Sequence, residues 1–185
     1  MPDRVYLFDV DGTLTEPRQL ITPEIEDTFI DWILTKNKKV YLVTGSDVEK
    51  TKEQLSEDLM DACLGVFTCS GNVFRQNDKI IYSNVFDPSE EFLEDLELYL
   101  DNSQWRVKKG NHIERRPGMI NFSTVGRDAS YNMRKAYERW DATSREREDI
   151  VAYINEVYPE LEVSIGGSIS VDIYPKGKNK GQVIE

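Results

Sequence analysis

Hydrophobic positions along this chain fall into two rhythms. Val5–Phe8 is a short continuous apolar run closed by Asp9 and then Gly12, which predicts a fully buried strand meeting a turn. From Thr22 the apolar residues recur at helical spacing (Ile25, Phe29, Ile30, Ile33 and Leu34) with Pro23 at the first helical position, so a helix is expected next. Lys39–Val43 is a second strand of the buried kind. It ends at Thr44, Gly45, Ser46 and Asp47 and leads into a helix through about Leu59. A third apolar stretch, Leu64–Phe67, ends at Ser70, Gly71 and Asn72. Strand, helix, strand, helix, strand predicts a parallel sheet with crossover helices. Ligands of such sheets bind at the carboxyl ends of the strands, where the polar clusters of this chain stand.

Beyond Asn72 the rhythm changes. A short hairpin from Val73 to Tyr82, turning at Asn77 and Asp78, precedes a helix near Pro88–Leu100 and two strand-like runs around Pro117 and Gly118. Two helices follow, roughly Ala129–Arg139 and Ser144–Val157. Strands Leu161–Ile165 and Ser168–Tyr174 are then joined across Gly166 and Gly167. Short strands with Gly-containing turns and helices between them predict an α+β unit on an antiparallel sheet. The expected fold class is α/β: a Rossmann-like parallel-sheet core over residues 1–84, an inserted α+β cap domain over 85–174, and a return to the core over 175–185. That core is expected to be incomplete at its C-terminal end.

Charge narrows the partners. The formal net charge of −11 over 185 residues argues against nucleic acid or an anionic membrane surface. No apolar run is long enough to span a bilayer, and Met1, Pro2, Asp3 and Arg4 lead straight into the first strand, so a cytoplasmic protein is expected. His112 is the only histidine, which leaves carboxylates, hydroxyls, Lys and Arg to carry any chemistry. Cys63 and Cys69 have no metal-ligand spacing and read as buried thiols. Between Arg106 and Arg139 the balance reverses, with nine basic residues against three acids. Arg outnumbers Lys there, beside a Pro-Gly turn, and this favours bidentate recognition of a phosphate over a merely solvated helix face.

The strongest chemical signal is Asp9, Val10, Asp11, Gly12 and Thr13. Phosphoryl transfer through an aspartyl phosphate needs a carboxylate aimed at phosphorus, a second acid near the leaving oxygen, and a cation to screen both. Asp9 would be the nucleophile. Asp11 would protonate the leaving group and later deprotonate the acceptor hydroxyl. A calcium loop of EF-hand type wants a third oxygen ligand at i+4, a Gly after it and a Glu at the twelfth position; Thr13, Leu14 and Leu20 stand there instead.

The run Phe8 to Thr15 resembles the first motif of the haloacid dehalogenase superfamily. Thr44, followed by Gly45, Ser46 and Asp47, resembles the second motif, whose hydroxyl holds the transferring phosphoryl group. Lys180 resembles the third, whose ammonium balances the aspartyl phosphate. Within the superfamily the chain resembles the eukaryotic-type α-phosphomannomutases: Arg18 sits shortly after the nucleophile motif, and Ile113–Ser123, Val125–Arg127, Arg134 and Gly166–Pro175 look like the cap segments. The resemblance implies that Arg116, Arg127 and Arg134 bind the distal phosphate, that Asn121, Ser170 and Asp172 contact the sugar, and that Arg18 binds substrate. Arg127 and Arg134 are seven apart, so on one helix they would share a face. Dimerisation through the cap is also implied, as is Mg²⁺ held by Asp9 and Asp11 and completed by a fourth motif.

That fourth motif and the further core strands are not among these 185 residues, so the sequence is expected to be a piece of a longer protein. The expected activity is interconversion of mannose 6-phosphate and mannose 1-phosphate with a hexose 1,6-bisphosphate activator. Thr44 and the Ser70-to-Asn72 run keep an Mg²⁺-dependent sugar phosphatase as the alternative, and the missing motif keeps a non-catalytic sugar-phosphate binding homologue.

Overall fold

The structure, a computed structural model, describes residues 4–77 and 79–184. The expected turn residue Asp78, the leading Met1, Pro2 and Asp3, and Glu185 lie outside the described residues. The chain divides into two compact units, Met1–Asn84 with Lys178–Glu185, and Val85–Gly177.

The first unit runs β1 (Val5–Phe8), α1 (Pro23–Thr35), β2 (Lys39–Val43), α2 (Val48–Lys52), α3 (Glu57–Ala62), β3 (Gly65–Thr68), β4 (Val73–Gln76) and β5 (Lys79–Ser83). Its five strands lie in sequence order. The first three are parallel, with Val5 opposite Lys39 and Tyr41 opposite Gly65, because helical crossovers connect them. β4 and β5 fold back antiparallel onto β3 as a hairpin. Val40, Leu42 and Leu59 are fully buried at the centre of the core. Beside them Phe8, Phe29 and Trp32 form an aromatic cluster, with the Phe8 and Phe29 ring centres 4.8 Å apart.

Two local expectations are corrected. β1 is not fully buried: it is the edge of the sheet, and Val5 and Leu7 are 55% and 42% exposed. The helix expected from Asp47 to Leu59 is two. The Asp47 carboxylate accepts the Lys50 N–H at 2.9 Å and starts α2, and the Ser56 hydroxyl accepts the Leu59 N–H at 3.1 Å and starts α3. Thr22 does sit at the N-cap of α1, but its hydroxyl makes no capping bond.

The second unit runs α4 (Glu90–Asn102), β6 (Ile113–Arg116), β7 (Met119–Phe122), α5 (Tyr131–Ser144), α6 (Glu146–Val157), β8 (Leu161–Gly166) and β9 (Ser170–Pro175). Its antiparallel sheet has the order β6-β7-β9-β8. Alternation along the strands sends Ile120, Phe122, Val171 and Ile173 to one face, where Phe92 and Leu96 of α4 and Ile150 and Ile154 of α6 cover them. Polar side chains are left for the other face. α5 extends past Arg139 to Ser144, where only Arg145, in the left-handed conformation at φ 59°, separates it from α6.

Burial pushes the Cys63 thiol up from 9.0 to about 12, and burial together with the Glu146 carboxylate pushes the Tyr137 hydroxyl far above its ordinary 10.0. Both groups are neutral when protonated and favour that form in the folded state. The stability they contribute is therefore complete below pH 9 and lost as pH rises, first against Cys63 and then, above 10, against Tyr137. Thermal melts are expected to hold level between pH 7 and roughly 9 and to fall above it; a level profile to about pH 11 would contradict this. Among the described residues no helix is long and apolar enough to cross a membrane.

Candidate active site

The chain after β1 folds around one carbonyl. Val10 is 1% exposed, and its carbonyl accepts the N–H groups of Thr13, Leu14 and Thr15 at 3.2, 3.0 and 3.1 Å. Gly12, at φ 79°, makes the reversal, and its N–H donates to the Thr15 carbonyl at 2.7 Å. With Val10 and Leu14 anchored inward, the half-buried Asp9 and Asp11 project on the other side.

Lys180 Nζ lies 2.8 Å from Asp9 Oδ2, across 171 residues of sequence, and Asp9 Oδ1 accepts the Val10 N–H at 2.8 Å. The pair is 42% and 43% exposed, so it does little for stability, and its geometry suits charge balance at a reacting carboxylate. Lys180 is delivered by the return of the chain over the turn after β3. Asn72, wholly buried, donates from Nδ2 to the carbonyls of Cys69 (2.8 Å) and Lys178 (3.0 Å), and Gln182 Nε2 donates to the Ser70 carbonyl at 2.9 Å. Gly71 sits under this segment at φ 87°, where a Cβ would stand 2.7 Å from Val183 Cγ1. Lys180–Ile184 form a 3₁₀ turn.

Asp11 Oδ1 accepts from the Arg18 backbone N–H at 2.9 Å and from Gln54 Nε2 at 2.8 Å. Arg18 thus meets the site through its main chain, at φ 64°, with its side chain exposed. Thr44 is 1% exposed and its hydroxyl accepts the Ser46 N–H at 3.1 Å, while the Ser46 hydroxyl is the one that approaches Asp11, at 3.5 Å. Among the described residues no group of three or more His, Cys, Asp or Glu could hold a metal ion. Asp9 and Asp11 offer two carboxylates. Gln54 carried no motif, and Ser46 stood in the second motif only as a residue following Thr44. The one signal for Gln54 is a polar side chain where the apolar face through Leu55 and Leu59 runs inward.

In the second unit the expected residues meet on the polar face of the sheet. Pairing sets Glu114 opposite Asn121 and Asn121 opposite Asp172, and Arg116 and Ser170 share their parity. Asn121 Nδ2 donates to Ser170 Oγ at 3.0 Å and to Asp172 Oδ1 at 2.6 Å, while its Oδ1 is buried without a partner. Glu114 Oε2 accepts from Arg116 Nη2 at 2.7 Å and from Arg127 Nε at 2.9 Å, so one carboxylate orients two guanidinium groups. A Cβ at Gly166 would come within 2.8 Å of the Asp172 carboxylate, which would have to shift to admit a side chain there.

The expectation that Arg127 and Arg134 lie on one helix is corrected. Arg127 precedes α5, whose N-cap is Ser130, and only Arg134 is helical. Arg134 turns back instead, donating from Nε to the Ala129 carbonyl at 2.9 Å and from Nη2 to the Arg127 carbonyl at 2.6 Å, and so braces the loop that presents Arg127.

Comparison with known proteins gives three findings. The family model described as eukaryotic phosphomannomutase matches residues 26–185. Phosphomannomutase 1 of Dictyostelium discoideum is 34% identical over 97% of this chain and 75% of its own length, and the phosphomannomutase of Dendrobium officinale is 37% identical over 97% and 74%. The chain thus spans about three quarters of these relatives. Among solved structures, the C-terminal domain of the C. albicans trehalose-6-phosphate phosphatase has a TM-score of 0.66 at 18% identity, covering 97% of this chain and 59% of that one. A haloacid dehalogenase-like hydrolase from Bacteroides thetaiotaomicron has a TM-score of 0.62 at 12% identity, over 98% and 74%. At these identities the structures share the fold alone.

Proposed function

This chain belongs to the eukaryotic phosphomannomutase family, and from that premise we propose that it interconverts mannose 6-phosphate and mannose 1-phosphate through an aspartyl phosphate at Asp9. The observation that carries the reading is the half-buried Asp9–Lys180 pair at 2.8 Å with Asp11 two residues on. A carboxylate oxygen of Asp9 attacks phosphorus of the bound hexose bisphosphate in line with the sugar oxygen. The bond from phosphorus to that oxygen breaks, and Asp11, as the acid, gives the leaving oxygen its proton. In the return step a hydroxyl of the hexose monophosphate attacks the phosphoaspartate, Asp11 takes the hydroxyl proton, and Asp9 is regenerated. Lys180 offsets the negative charge on Asp9 and on the phosphoryl group through both steps.

Mg²⁺ binds through one or two carboxylates, waters and phosphate oxygens, so the hard oxygen donors of Asp9 and Asp11 fit it and would hold it. When bound, the ion neutralises charge on the phosphoryl oxygens. The polar sheet face of the second unit contributes recognition. Arg116 and Arg127, oriented by Glu114, suit a phosphate, and Asn121, Ser170 and Asp172 suit sugar hydroxyls. A cytoplasmic setting suits the buried thiols of Cys63 and Cys69.

Phosphorus NMR tests the proposal directly. With mannose 1-phosphate, a hexose 1,6-bisphosphate and Mg²⁺, the mannose 6-phosphate resonance is expected to grow at the expense of mannose 1-phosphate. Release of inorganic phosphate without isomerisation would establish a sugar phosphatase instead, and an unchanged spectrum would reject both.

A further inference from the structure

We propose that Gln54 is a positioning residue that fixes the orientation of the Asp11 carboxylate by holding its Oδ1. The inference rests on the reading of Asp11 as the acid–base group.

Gln54 is 2% exposed and carries none of the motif signals. Its backbone is pinned on both sides: its N–H donates to the Thr51 carbonyl at 3.1 Å, and its carbonyl accepts the Ile21 N–H at 2.8 Å. The side chain reaches from the end of α2 to the nucleophile turn, where Nε2 donates to Asp11 Oδ1 at 2.8 Å and to Thr15 Oγ1 at 3.1 Å. Both hydrogens of the amide are therefore used. Its other atom, Oε1, is buried with no partner among the described residues.

The direction of the amide follows from charge. Turned over, it would set a carbonyl oxygen against the Asp11 carboxylate and strand two donors instead of one acceptor. Even in the better orientation a buried acceptor without a partner is destabilising, and a leucine of similar size would avoid it. Core packing alone therefore does not account for a glutamine here. The Nε2 contact to Asp11 does.

That contact makes the two oxygens of Asp11 inequivalent. Oδ1 receives two donors, Arg18 N–H at 2.9 Å and Gln54 Nε2 at 2.8 Å. Among the described residues Oδ2 has only the Ser46 hydroxyl at 3.5 Å, beyond the useful range of an O–H to oxygen bond. A carboxylate free to turn about χ2 would exchange the two positions. The buried amide holds Oδ1, opposes the turn and so keeps Oδ2 directed at the open side of the site. Of the two donors, Arg18 N–H belongs to an exposed loop residue, so Gln54 supplies the rigid half of the clamp.

Gln54→Leu and Gln54→Glu in the full chain test this with two readouts. The first does not need activity. In proton–nitrogen correlation spectra the Arg18 amide, bonded to the same Oδ1, is expected to shift in both variants and to lose about tenfold or more of its exchange protection as the carboxylate turns. The second is turnover: kcat is expected to fall about tenfold or more with KM within about twofold, while the melting temperature of Gln54→Leu stays at or above that of the unaltered chain. An Arg18 amide unchanged in both variants would overturn the inference whatever the activity, and so would a kcat loss that merely follows a drop in melting temperature. If the unaltered chain turns over no sugar phosphate, the functional reading fails by itself, and the Arg18 amide still decides the role of Gln54.

Discussion

Asp9→Asn is expected to lower mannose phosphate turnover by about 10³-fold or more, because an amide cannot form the aspartyl phosphate that both half-reactions share. The substitution is nearly isosteric. The carbonyl oxygen of the new amide can still accept the Val10 N–H, which now donates to Asp9 Oδ1 at 2.8 Å, so the turn that follows β1 is retained. What is lost is the charge facing Lys180, and a pair this exposed contributes on the order of 0–1 kcal/mol. Activity should vanish while the melting temperature hardly moves. The comparison is made with the variant and the unaltered chain in the same phosphorus NMR assay, each checked by thermal melt. More than a tenth of the original rate in the variant would remove Asp9 from the role of nucleophile, and with it the covalent route.

The second large effect is on stability, in the second unit. Glu146 is 8% exposed at the start of α6. Its Oε2 accepts the hydroxyl of Tyr137 at 2.8 Å, and its Oε1 accepts the hydroxyl of Ser103 in a short bond. Tyr137 is wholly buried among Trp105 and Trp140, whose ring centres lie 5.4 and 5.7 Å from its own. Glu146→Ala removes the carboxylate acceptor of two buried hydroxyl groups at once, at about 1–3 kcal/mol each, and leaves a void besides. We expect a loss of about 3 kcal/mol or more, a large share of the roughly 5–15 kcal/mol typical of a whole domain. Urea unfolding followed by tryptophan fluorescence measures it. A loss below about 1 kcal/mol would show that neither hydroxyl depends on this carboxylate.

Much of the architecture was legible because it repeats at short range. The spacing of Phe29, Ile30 and Ile33 announced α1, and the continuous runs before Asp9 and Thr44 announced β1 and β2 as parallel strands. Strand-like runs beside Gly118 and Gly167 announced β7 and β9, whereas the split into an apolar and a polar face emerged from their pairing. The misses have local causes. Leu55 and Leu59 remain in phase across the break between α2 and α3, so periodicity could not show that Ser56 begins a second helix. The edge position of β1 depends on which strand lies beside it, and an apolar run carries no word of that.

By itself, the sequence determined the family, the α/β class and the kinds of group available: two acids at a strand end, one lysine past an insertion, and an arginine-rich segment. Only the tertiary structure decided which of them meet. Asp9 and Lys180 are separated by 171 positions, Asn121 and Asp172 by 51, and Asp11 and Gln54 by 43. Residue spacing predicts contact only within one helix or strand, whose repeat is known in advance. Across elements, contact depends on sheet order, register and turns such as that at Gly71. A hydrogen bond tolerates errors of a few tenths of an ångström, so such partners become visible only once the chain is folded.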